Sequence, residues 1–209
     1  MIKHEWRKSE KTIYLGGKTP TIIEVPSFSF ITLSGAGNPN STYFQECIGT
    51  LYSVAYAIKM NLKTLNRKPV NYLDWTVYPL EGVWDITNKA KTNFNGTINK
   101  DDLVFDLMIR QPDFVDQELF NEMLELVRTK KPNKHLEQVH FKEITEGKCI
   151  QMIHIGSYDN EHASFLEMER YATQNNLVRI SKIHREIYLN DFRRVPEEKL
   201  KTMLRFNVQ

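Results

Sequence analysis

The alternation of apolar and polar residues in the first half of the chain predicts four strands around one long helix. Residues 41–62 repeat apolar side chains at helical spacing, and Ser41 or Thr42 is suited to cap the helix. The strand segments are rich in β-branched and aromatic residues or alternate them with small polar ones. These segments are residues 21–25, 27–33, 71–78 and 103–109, with a loop predicted at residues 86–101.

The second half of the chain repeats this order of elements. A helix is predicted over residues 160–174, and another over residues 116–128 connects the two halves. Residues 1–19 are polar and charged and are expected to form a loosely held arm. The strands predicted in this half are residues 138–144, 149–155, 180–189 and 200–208, the first two joined at Glu146-Gly147.

An internal repeat follows from this order. In each half a glycine, Gly35 or Gly156, ends the second strand a few residues before a helix. The sequence therefore predicts an α+β fold of two pseudo-symmetric ββαββ modules, about residues 20–110 and 136–208, within a single domain of residues 1–209. Each module is expected to be an antiparallel sheet with its long helix on one face. A ligand cleft is expected between the modules, because pockets often form at such junctions.

The composition is that of an ordinary globular protein with nearly balanced charge. The 209 residues include 28 Lys and Arg and 26 Asp and Glu, for a formal net charge of +2. A nucleic-acid partner usually requires a concentrated basic surface, so none is predicted. The amino terminus lacks the apolar core of a signal peptide, and no segment approaches the ~18 apolar residues of a membrane span. The predicted location is the cytoplasm, with no membrane partner, and the oligomeric state is left open.

Several short motifs are better explained by structure than by chemistry. The Gly-Ala-Gly sequence at residues 35–37 lacks the third glycine of a dinucleotide-binding motif and is predicted to be a turn. Cys47 and Cys149 are expected to be buried thiols. The six histidines are scattered without the spacing of metal ligands, so neither a metal site nor a cofactor is predicted. No serine or cysteine lies in a catalytic signature.

The most informative segment for chemistry is residues 184–189. Alternate residues of a strand share a face, so His184, Glu186 and Tyr188 are predicted to point the same way. A carboxylate in this position is either a salt-bridged core residue or the acid of a pocket, held beside a phenol that forms hydrogen bonds. His154 and His184 are candidate ligand-binding residues on the second interpretation, and well-satisfied structural histidines on the first.

Aromatic residues are plentiful in the first half of the chain. Those that could form the wall of a pocket for a planar ligand are Tyr52, Tyr56, Trp75, Tyr78, Trp84 and Phe105. Aromatic residues of this kind more often form a hydrophobic core. If they face the acid of the second half instead, they form a flat apolar slot with one polar group to orient the ligand.

The residues of these segments resemble a known family. The sequence is similar, from about residue 12 to residue 208, to stand-alone members of the GyrI-like small-molecule-binding family. The similarity is greatest to the branch that hydrolyses cyclopropane-bearing alkylating natural products. The matching segments are residues 35–40, 51–59, 79–84, 108–115, 184–189 and 196–205, with Glu146-Gly147, Gln151, His154, Gly156, Tyr158-Asp159 and Glu161. The resemblance implies two β-rich modules with a ligand cleft between them, and a pocket carboxylate at Glu186.

Two classes of function follow from the residues and the resemblance together. The first is a detoxifying hydrolase in which Glu186 takes a proton from water that attacks the ring. Tyr188 or Tyr52 would donate a hydrogen bond to the oxygen that gains charge. The second is a non-enzymatic protein that binds or senses planar, often cationic drugs. A third function, inhibition of DNA gyrase, is implied by the family name alone. The predicted partner in the first two is a planar aromatic or cationic small molecule.

Overall fold

The computed structural model describes residues 3–64, 68–94 and 96–209. The strands are β1 (Lys3–His4), β2 (Thr21–Ala36), β3 (Asp74–Trp75), β4 (Leu80–Ile86), β5 (Leu103–Arg110), β6 (Val139–Ile155), β7 (His184–Tyr188) and β8 (Lys201–Asn207). The helices are α1 (Trp6–Ser9), α2 (Lys11–Tyr14), α3 (Thr42–Thr64), α4 (Asn88–Thr92), α5 (Gln117–Lys130) and α6 (Glu161–Gln174). Short 3-10 helices lie at Lys100–Asp102, Leu136–Gln138, Tyr158–Asn160 and Glu197–Lys199.

The fold is mixed α/β, and its main sheet is antiparallel. Six strands form a closed barrel in the order β2-β5-β4-β7-β8-β6, while β1 and β3 form a separate parallel pair. Within the described part of the chain, no helix is both long and apolar enough to cross a membrane. Cys47 and Cys149 are free and buried, as the sequence predicts.

The chain divides into two compact units. Unit 1 comprises Met1–Glu5, Phe28–Leu80 and Asp85–Ile144, and its long helices α3 and α5 pack together. Ser41 caps the start of α3 through the backbone N–H of Phe44. The buried face of α3 is the one that the helical spacing predicts, and it is formed by Phe44, Cys47, Thr50, Leu51, Val54, Ala55, Ile58 and Leu62.

Unit 2 comprises Trp6–Ser27, Glu81–Trp84 and Thr145–Gln209. Helix α6 packs its Met168 and Ala172 against apolar residues of β6 and β8, such as Ile150 and Leu204. Leu166, another apolar residue of this helix, is 41% exposed. The prediction of a loose arm over residues 1–19 is wrong for residues 6–14, because α1 and α2 bury Trp6 and Tyr14.

The structure corrects several predicted strands. Residues 21–25 and 27–33 belong to the single strand β2. Residues 139–144 and 149–155 belong to the single strand β6, and Gln138 ends the preceding 3-10 helix. Gly147 takes a positive φ of 71° within β6, which bends the strand at one residue, whereas a tight hairpin needs two turn residues. Of residues 71–78 only Asp74–Trp75 is a strand, and β4 was not predicted. The ββαββ order of the two modules is therefore not confirmed.

Candidate functional site

The candidate site in unit 2 is built on strand β7. His184, Glu186 and Tyr188 lie on one face of this strand, as its alternation predicts. Glu186 Oε2 accepts a hydrogen bond of 2.8 Å from the hydroxyl of Tyr188, and Oε1 lies 3.2 Å from Nε2 of His184. Only 8% of Glu186 is exposed, so its carboxylate is fixed by these two neighbours in a largely buried position.

Strand β4 supplies the next layer of contacts. It pairs with β7 so that Gly82 is opposite Glu186 and Trp84 is opposite His184. The indole N–H of the buried Trp84 donates to the Tyr188 hydroxyl over 2.9 Å, and that hydroxyl in turn donates to Glu186. Burial raises the pKa of Tyr188, and the neighbouring Glu186 raises it further, so the phenol keeps its proton and remains a donor. The indole, the phenol and the carboxylate are thus linked by two consecutive hydrogen bonds, each donated toward Glu186.

Gly82 leaves the space in which the side chains of Trp84 and Tyr188 form their hydrogen bond. A Cβ atom at residue 82 would lie 2.8 Å from Nε1 of Trp84 and 3.1 Å from the hydroxyl of Tyr188. Contacts this short force at least one of the two rings to move. Glycine is therefore required here by the close approach of two side chains that bond to each other.

A second carboxyl group, Glu161, meets Glu186 from the start of helix α6. Glu161 is only 6% exposed and is hydrogen-bonded to Glu186. Burial raises the pKa of Glu161 well above its usual range, and the charge and hydrogen bond of Glu186 add to the shift, with a further contribution from Asp159. The sequence indicated Glu161 only as a member of a matching segment, and no local pattern announces its partner 25 residues away.

Glu161 is the first residue of α6, where the helix dipole favours its charged form. This effect is smaller than the opposing effects of burial and of repulsion by Glu186. A carboxylate at a helix N-terminus gains about 0.3–1 kcal/mol from the helix dipole. The ligand oxygens of Glu161 and Glu186 lie within 4.8 Å. Two negative charges at that separation repel by roughly 3 kcal/mol, at an effective dielectric constant of about 20. Repulsion and burial therefore prevail, and Glu161 holds a proton beside the Glu186 carboxylate.

A buried oxygen of Glu161 supports this protonation state. Among the described residues, no hydrogen-bond donor reaches Oε1 of Glu161. A buried carboxylate oxygen without a donor is costly, whereas a protonated carboxyl group can itself donate to Glu186. Tyr158 lies beside the pair with its ring centroid 5.9 Å from that of Tyr188. Burial, Glu186, Glu161 and Asp191 raise the pKa of Tyr158 to about 12, so it too is a neutral phenol.

The same residues could hold a metal ion. The ligand atoms of Glu161, His184 and Glu186 all lie within 4.8 Å of one another. Two carboxylates and an imidazole are suitable ligands for a divalent ion such as Zn²⁺. Such an ion would need Glu161 as an anion and would take the place of its proton. The site thus offers two arrangements, and a chelator distinguishes them experimentally.

The opposite face of β7 is tied to the rest of unit 2 by buried charges. Arg185 contacts Glu81 over 2.7 Å and Glu146 over 2.9 Å. Arg205 donates to Glu146 over 2.7 Å and to the side-chain oxygen of Gln151 over 2.8 Å. This Arg185–Arg205 network fixes the backbone of β7 from behind, and so fixes the position of Glu186 on its front.

His154, predicted to bind ligand, lies on β6 with other partners. Its Nδ1 is 2.9 Å from the hydroxyl of Ser164, and its Nε2 is 2.9 Å from the carbonyl oxygen of Ser157. Because a carbonyl only accepts, Nε2 carries the hydrogen and Nδ1 accepts from Ser164. His154 thereby joins the end of β6 to α6, the helix that begins with Glu161. Its role in ligand binding stays a prediction.

Of the predicted aromatic residues, Trp84 alone lies in unit 2 with Glu186. Trp75, Tyr78 and Phe105 are buried in unit 1. Tyr52 and Tyr56 lie on one face of α3, as predicted, with ring centroids 6.2 Å apart, and Tyr56 is half exposed. The role of these five residues as ligand-binding walls stays a prediction.

Two surface cavities are lined by residues of unit 1. One, of about 400 Å³, is lined by residues between Ile86 and Asp102. The other, of about 330 Å³, is lined by α5 and the first residues of β6, including Phe120 and Phe141. Neither is lined by a group with the pairing or electrostatics of Glu161 and Glu186. The candidate site is therefore identified by the chemistry of its side chains and not by the volume of a cavity.

Comparison with known proteins supports a small-molecule site. The sequence model of the GyrI-like small molecule binding domain matches residues 18–209. A solved structure described as a hydrolase from Listeria innocua is 32% identical with a TM-score of 0.87, and the match covers 99% of this chain and 100% of that chain. An uncharacterized conserved protein from Listeria innocua gives the same values. The EcmrR C-terminal domain is 12% identical with a TM-score of 0.56, covering 91% of this chain and 97% of that chain, and shares the fold alone. No curated protein sequence gives a significant match.

Proposed function

The chain belongs to the GyrI-like small-molecule-binding family, and we propose from this premise that it is a hydrolase that opens the strained ring of cyclopropane-bearing electrophilic toxins. The observation behind the proposal is the buried Glu186 carboxylate, oriented by hydrogen bonds from both Tyr188 and Glu161. Such a group is suited to act as a general base. The hydrolase description of the similar Listeria innocua structure supports the same class of activity. The biological role would be detoxification and hence drug resistance.

The proposed reaction adds one water molecule across a carbon–carbon bond. Glu186 accepts a proton from water as the water oxygen bonds to the less hindered ring carbon. The strained bond breaks, and its electron pair moves through the conjugated dienone to the distant carbonyl oxygen, which is protonated from solvent. A positioned general base typically accelerates such a step by about 10²–10⁴-fold. An acceleration of this size is sufficient to open a ring that strain and conjugation already activate.

Tyr188 has a positioning role in this mechanism. Its hydroxyl proton is directed at Glu186, and its oxygen accepts from Trp84. In this arrangement the phenol orients the base, and the donation of its proton to a substrate oxygen stays a prediction. Glu161 likewise donates to Glu186. Two donors on one carboxylate hold it in a single orientation, and this preorganisation is what a general base needs.

The test compares three variants with the wild type on a compound in which a cyclopropane is fused to a conjugated dienone. Glu186→Gln should lower kcat/KM by about 10²–10⁴-fold, because an amide cannot accept the proton of water. Tyr188→Phe should lower it less, since the carboxylate remains but is less well oriented. Glu167→Gln, which removes an exposed carboxylate from the same helix as Glu161, is the matched control and should match the wild type. Loss of dienone absorbance and gain of one water in mass are the measurements.

Two results would contradict this mechanism. Equal rates for Glu186→Gln and the wild type would exclude Glu186 as the base. Loss of activity on treatment with EDTA, and its return with Zn²⁺, would show that a metal replaces the proton between Glu161 and Glu186.

A non-enzymatic binder of planar, often cationic drugs is the second candidate function. The observation in its favour is that two carboxyl groups and the rings of Trp84, Tyr158 and Tyr188 lie together in unit 2. Aromatic faces attract cations, and a carboxylate neutralises them. Recovery of every bound drug molecule unchanged, by mass spectrometry after long incubation, would favour this function. Conversion of the cyclopropane compound under the same conditions would exclude it as the sole function.

A further inference from the structure

The two faces of strand β7 balance their carboxyl groups differently. On one face, the two glutamates of the Arg185–Arg205 network contact two buried guanidinium groups. On the other face, Glu161 and Glu186 are only 6% and 8% exposed, and no lysine or arginine of the described residues forms an ion pair with either of them. Buried carboxylates are normally neutralised by a cationic side chain or by a metal ion. The proton on Glu161 removes one of the two charges, whereas a divalent ion balances both.

The separations between the ligand atoms suit a zinc ion. Zinc binds imidazole nitrogen and carboxylate oxygen at about 2.0–2.2 Å, so two ligand atoms of a tetrahedral site lie about 3.4 Å apart. Nε2 of His184 and Oε1 of Glu186 are 3.2 Å apart. The ligand oxygen of Glu161 lies within 4.8 Å of the ligand atoms of both residues. Two ligand atoms therefore already lie close to the required separation, and rotation of a side chain brings the third to it.

His184 and Glu186 are each oriented by a further hydrogen bond. Nδ1 of His184 lies 3.3 Å from the carbonyl oxygen of Lys182. Because a carbonyl only accepts, Nδ1 carries the hydrogen in this contact, and the lone pair of the neutral ring is on Nε2, the nitrogen that faces Glu186. The Tyr188 hydroxyl donates to Oε2 of Glu186 and leaves Oε1 available to an ion. Outer hydrogen bonds of this kind orient the histidine and carboxylate ligands of metal sites in proteins.

Glu161 supplies a third ligand, and one of its oxygens is unsatisfied. Its Oε1 is buried, and none of the described residues donates to it. Because buried acceptors require a partner, a cation next to this oxygen would satisfy it. The side chain of His184 is 21% exposed, so an ion can enter from solvent on that side. A water molecule that enters the same way completes a four-coordinate site, as in zinc sites with three protein ligands.

The kinds of ligand atom favour zinc over magnesium. Magnesium requires near-ideal octahedral geometry and loses its bound water reluctantly, so it seldom occupies a site built mainly from protein side chains. Zinc accepts both imidazole and carboxylate ligands, and one imidazole with two carboxylates fills three positions of its tetrahedron. The predicted ion is therefore Zn²⁺.

We propose that Glu161, His184 and Glu186 bind one Zn²⁺ ion and that the bound ion inhibits the hydrolase. The binding stands on the three side chains alone, while the inhibition rests on the proposed function. In that function the Glu186 carboxylate takes a proton from water. Since Oε2 already accepts from Tyr188, Oε1 is the oxygen left for the water, and in the complex it is bonded to zinc. Zinc and the water molecule therefore compete for the same oxygen.

Metal binding is measured on the purified full-length chain, freed of metal by EDTA and then of EDTA by dialysis. Titration calorimetry with ZnCl₂ should show one ion bound per chain, and MgCl₂ at the same concentrations should show none. Glu161→Gln and His184→Gln should each weaken zinc binding by more than about 10–100-fold, which is the typical cost of losing only an outer hydrogen bond. Glu167→Gln and His162→Gln, which remove an exposed carboxylate and an exposed imidazole from the same helix, should bind zinc like the wild type.

The position of the ion is measured by diffraction. Crystals soaked in ZnCl₂ and measured at the zinc absorption edge should show an anomalous peak between the three side chains. Absence of zinc binding by the wild type would overturn the site. Wild-type affinity in both Glu161→Gln and His184→Gln would also overturn it, because the ion would then be bound elsewhere. Circular dichroism and thermal unfolding confirm that each variant is folded before its affinity is compared.

Inhibition is measured on the cyclopropane compound, with EDTA or with saturating ZnCl₂. The wild type should be active in EDTA, lose at least about tenfold in kcat/KM with zinc, and recover when excess EDTA is added back. The activity that remains in Glu161→Gln should be less sensitive to zinc, because this variant binds zinc more weakly.

The outcomes separate the zinc site from the proposed function. Hydrolysis in EDTA without zinc binding would overturn the zinc site and leave the proposed function standing. Zinc bound between the three side chains, with no hydrolysis in either condition, would reject the proposed function and the inhibition and retain the metal site. Hydrolysis that bound zinc leaves unchanged or increases would overturn the inhibition, and would show that the reaction proceeds without Glu186 as a free base.

Discussion

At the scale of single residues, the main feature is the protonated carboxyl group of Glu161, which lies where the fold disfavours a negative charge. Glu161 is buried next to another carboxyl group, and both burial and Glu186 raise its pKa. A carboxyl group with a raised pKa in the folded state binds protons more tightly there than in the unfolded chain. As pH rises from about 4.5 toward the folded pKa, the unfolded state releases its proton first, so stability falls over that window. The buried position of Glu161 therefore lowers the free energy of unfolding over this range of pH.

This cost predicts that removing the acid stabilises the protein. Glu161→Gln should raise the free energy of unfolding at pH 8 and have a smaller effect at pH 4, where Glu161 is protonated in both states. Urea denaturation at the two pH values measures the difference, with Glu167→Gln as control at an exposed site. A loss of stability at pH 8 would mean that Glu161 is charged in the folded state.

At the scale of elements, the pairing of β4 with β7 determines the geometry of the site. The register places Gly82 opposite Glu186, and the missing side chain lets Trp84 reach Tyr188. The β7 residues supply the chemistry, while β4 supplies space and a donor. Neither strand contains the complete arrangement.

A methyl group at Gly82 tests this dependence. Gly82→Ala should displace the Trp84 indole or the Tyr188 ring, because the new Cβ would lie 2.8 Å and 3.1 Å from their polar atoms. We expect a shift in tryptophan fluorescence and a loss of hydrolysis approaching that of Tyr188→Phe. Gly49→Ala is the matched control, since a Cβ there meets nothing within 4 Å and alanine favours the helix. An unchanged rate for Gly82→Ala would show that the indole–phenol contact is dispensable.

Helix α3 gives a test at the same scale of the core that the sequence predicted. Leu51 is fully buried in unit 1, so Leu51→Ala should lower the free energy of unfolding by about 2–5 kcal/mol. Gln45→Ala, on the exposed side of α3, should change it by less than about 0.5 kcal/mol. Equal denaturation midpoints for the two variants would contradict the assigned faces of the helix.

At the scale of the whole molecule, a buried ionic network links residues far apart in sequence. Arg205 contacts the carbonyl oxygen of Ile13 over 2.7 Å as well as Glu146, and Arg185 contacts Glu81 and Glu146. Burial opposes charge on Glu146, but the two arginines prevail and lower its pKa. Removing one partner of such a network leaves a buried charge uncompensated, which typically costs about 3–5 kcal/mol.

The network predicts sensitivity to acid. A carboxyl group with a lowered pKa contributes stability that is complete above its unfolded value of about 4.5 and is lost as pH falls through the folded value. Glu146→Gln should therefore be less stable than the wild type at pH 7, and the difference should shrink at pH 3. Thermal unfolding across this range measures both effects. A constant difference between the two proteins at every pH would show that the loss is one of packing.

Local patterns in the sequence determined which side chains share one face of a helix or strand. The faces of α3 follow from a period of 3.6, and the grouping of His184, Glu186 and Tyr188 follows from a period of two, because both periods are properties of the backbone itself. Such patterns are visible without tertiary contacts. The period of two grouped Glu186 with His184 and Tyr188, and the resemblance to the GyrI-like family singled out Glu186 as a candidate pocket carboxylate.

Tertiary structure alone decided which partners these elements meet. The contact between Glu161 and Glu186, the bond from Trp84 to Tyr188 and the burial of Trp6 all join residues that no local period relates. The sequence predicted a hairpin at Gly147 where the chain continues as one strand, because one glycine with positive φ serves a bend as well as a turn. A protonated carboxyl group arises only when folding brings two acids together in a buried place, since the repulsion and the burial that hold the proton exist only there.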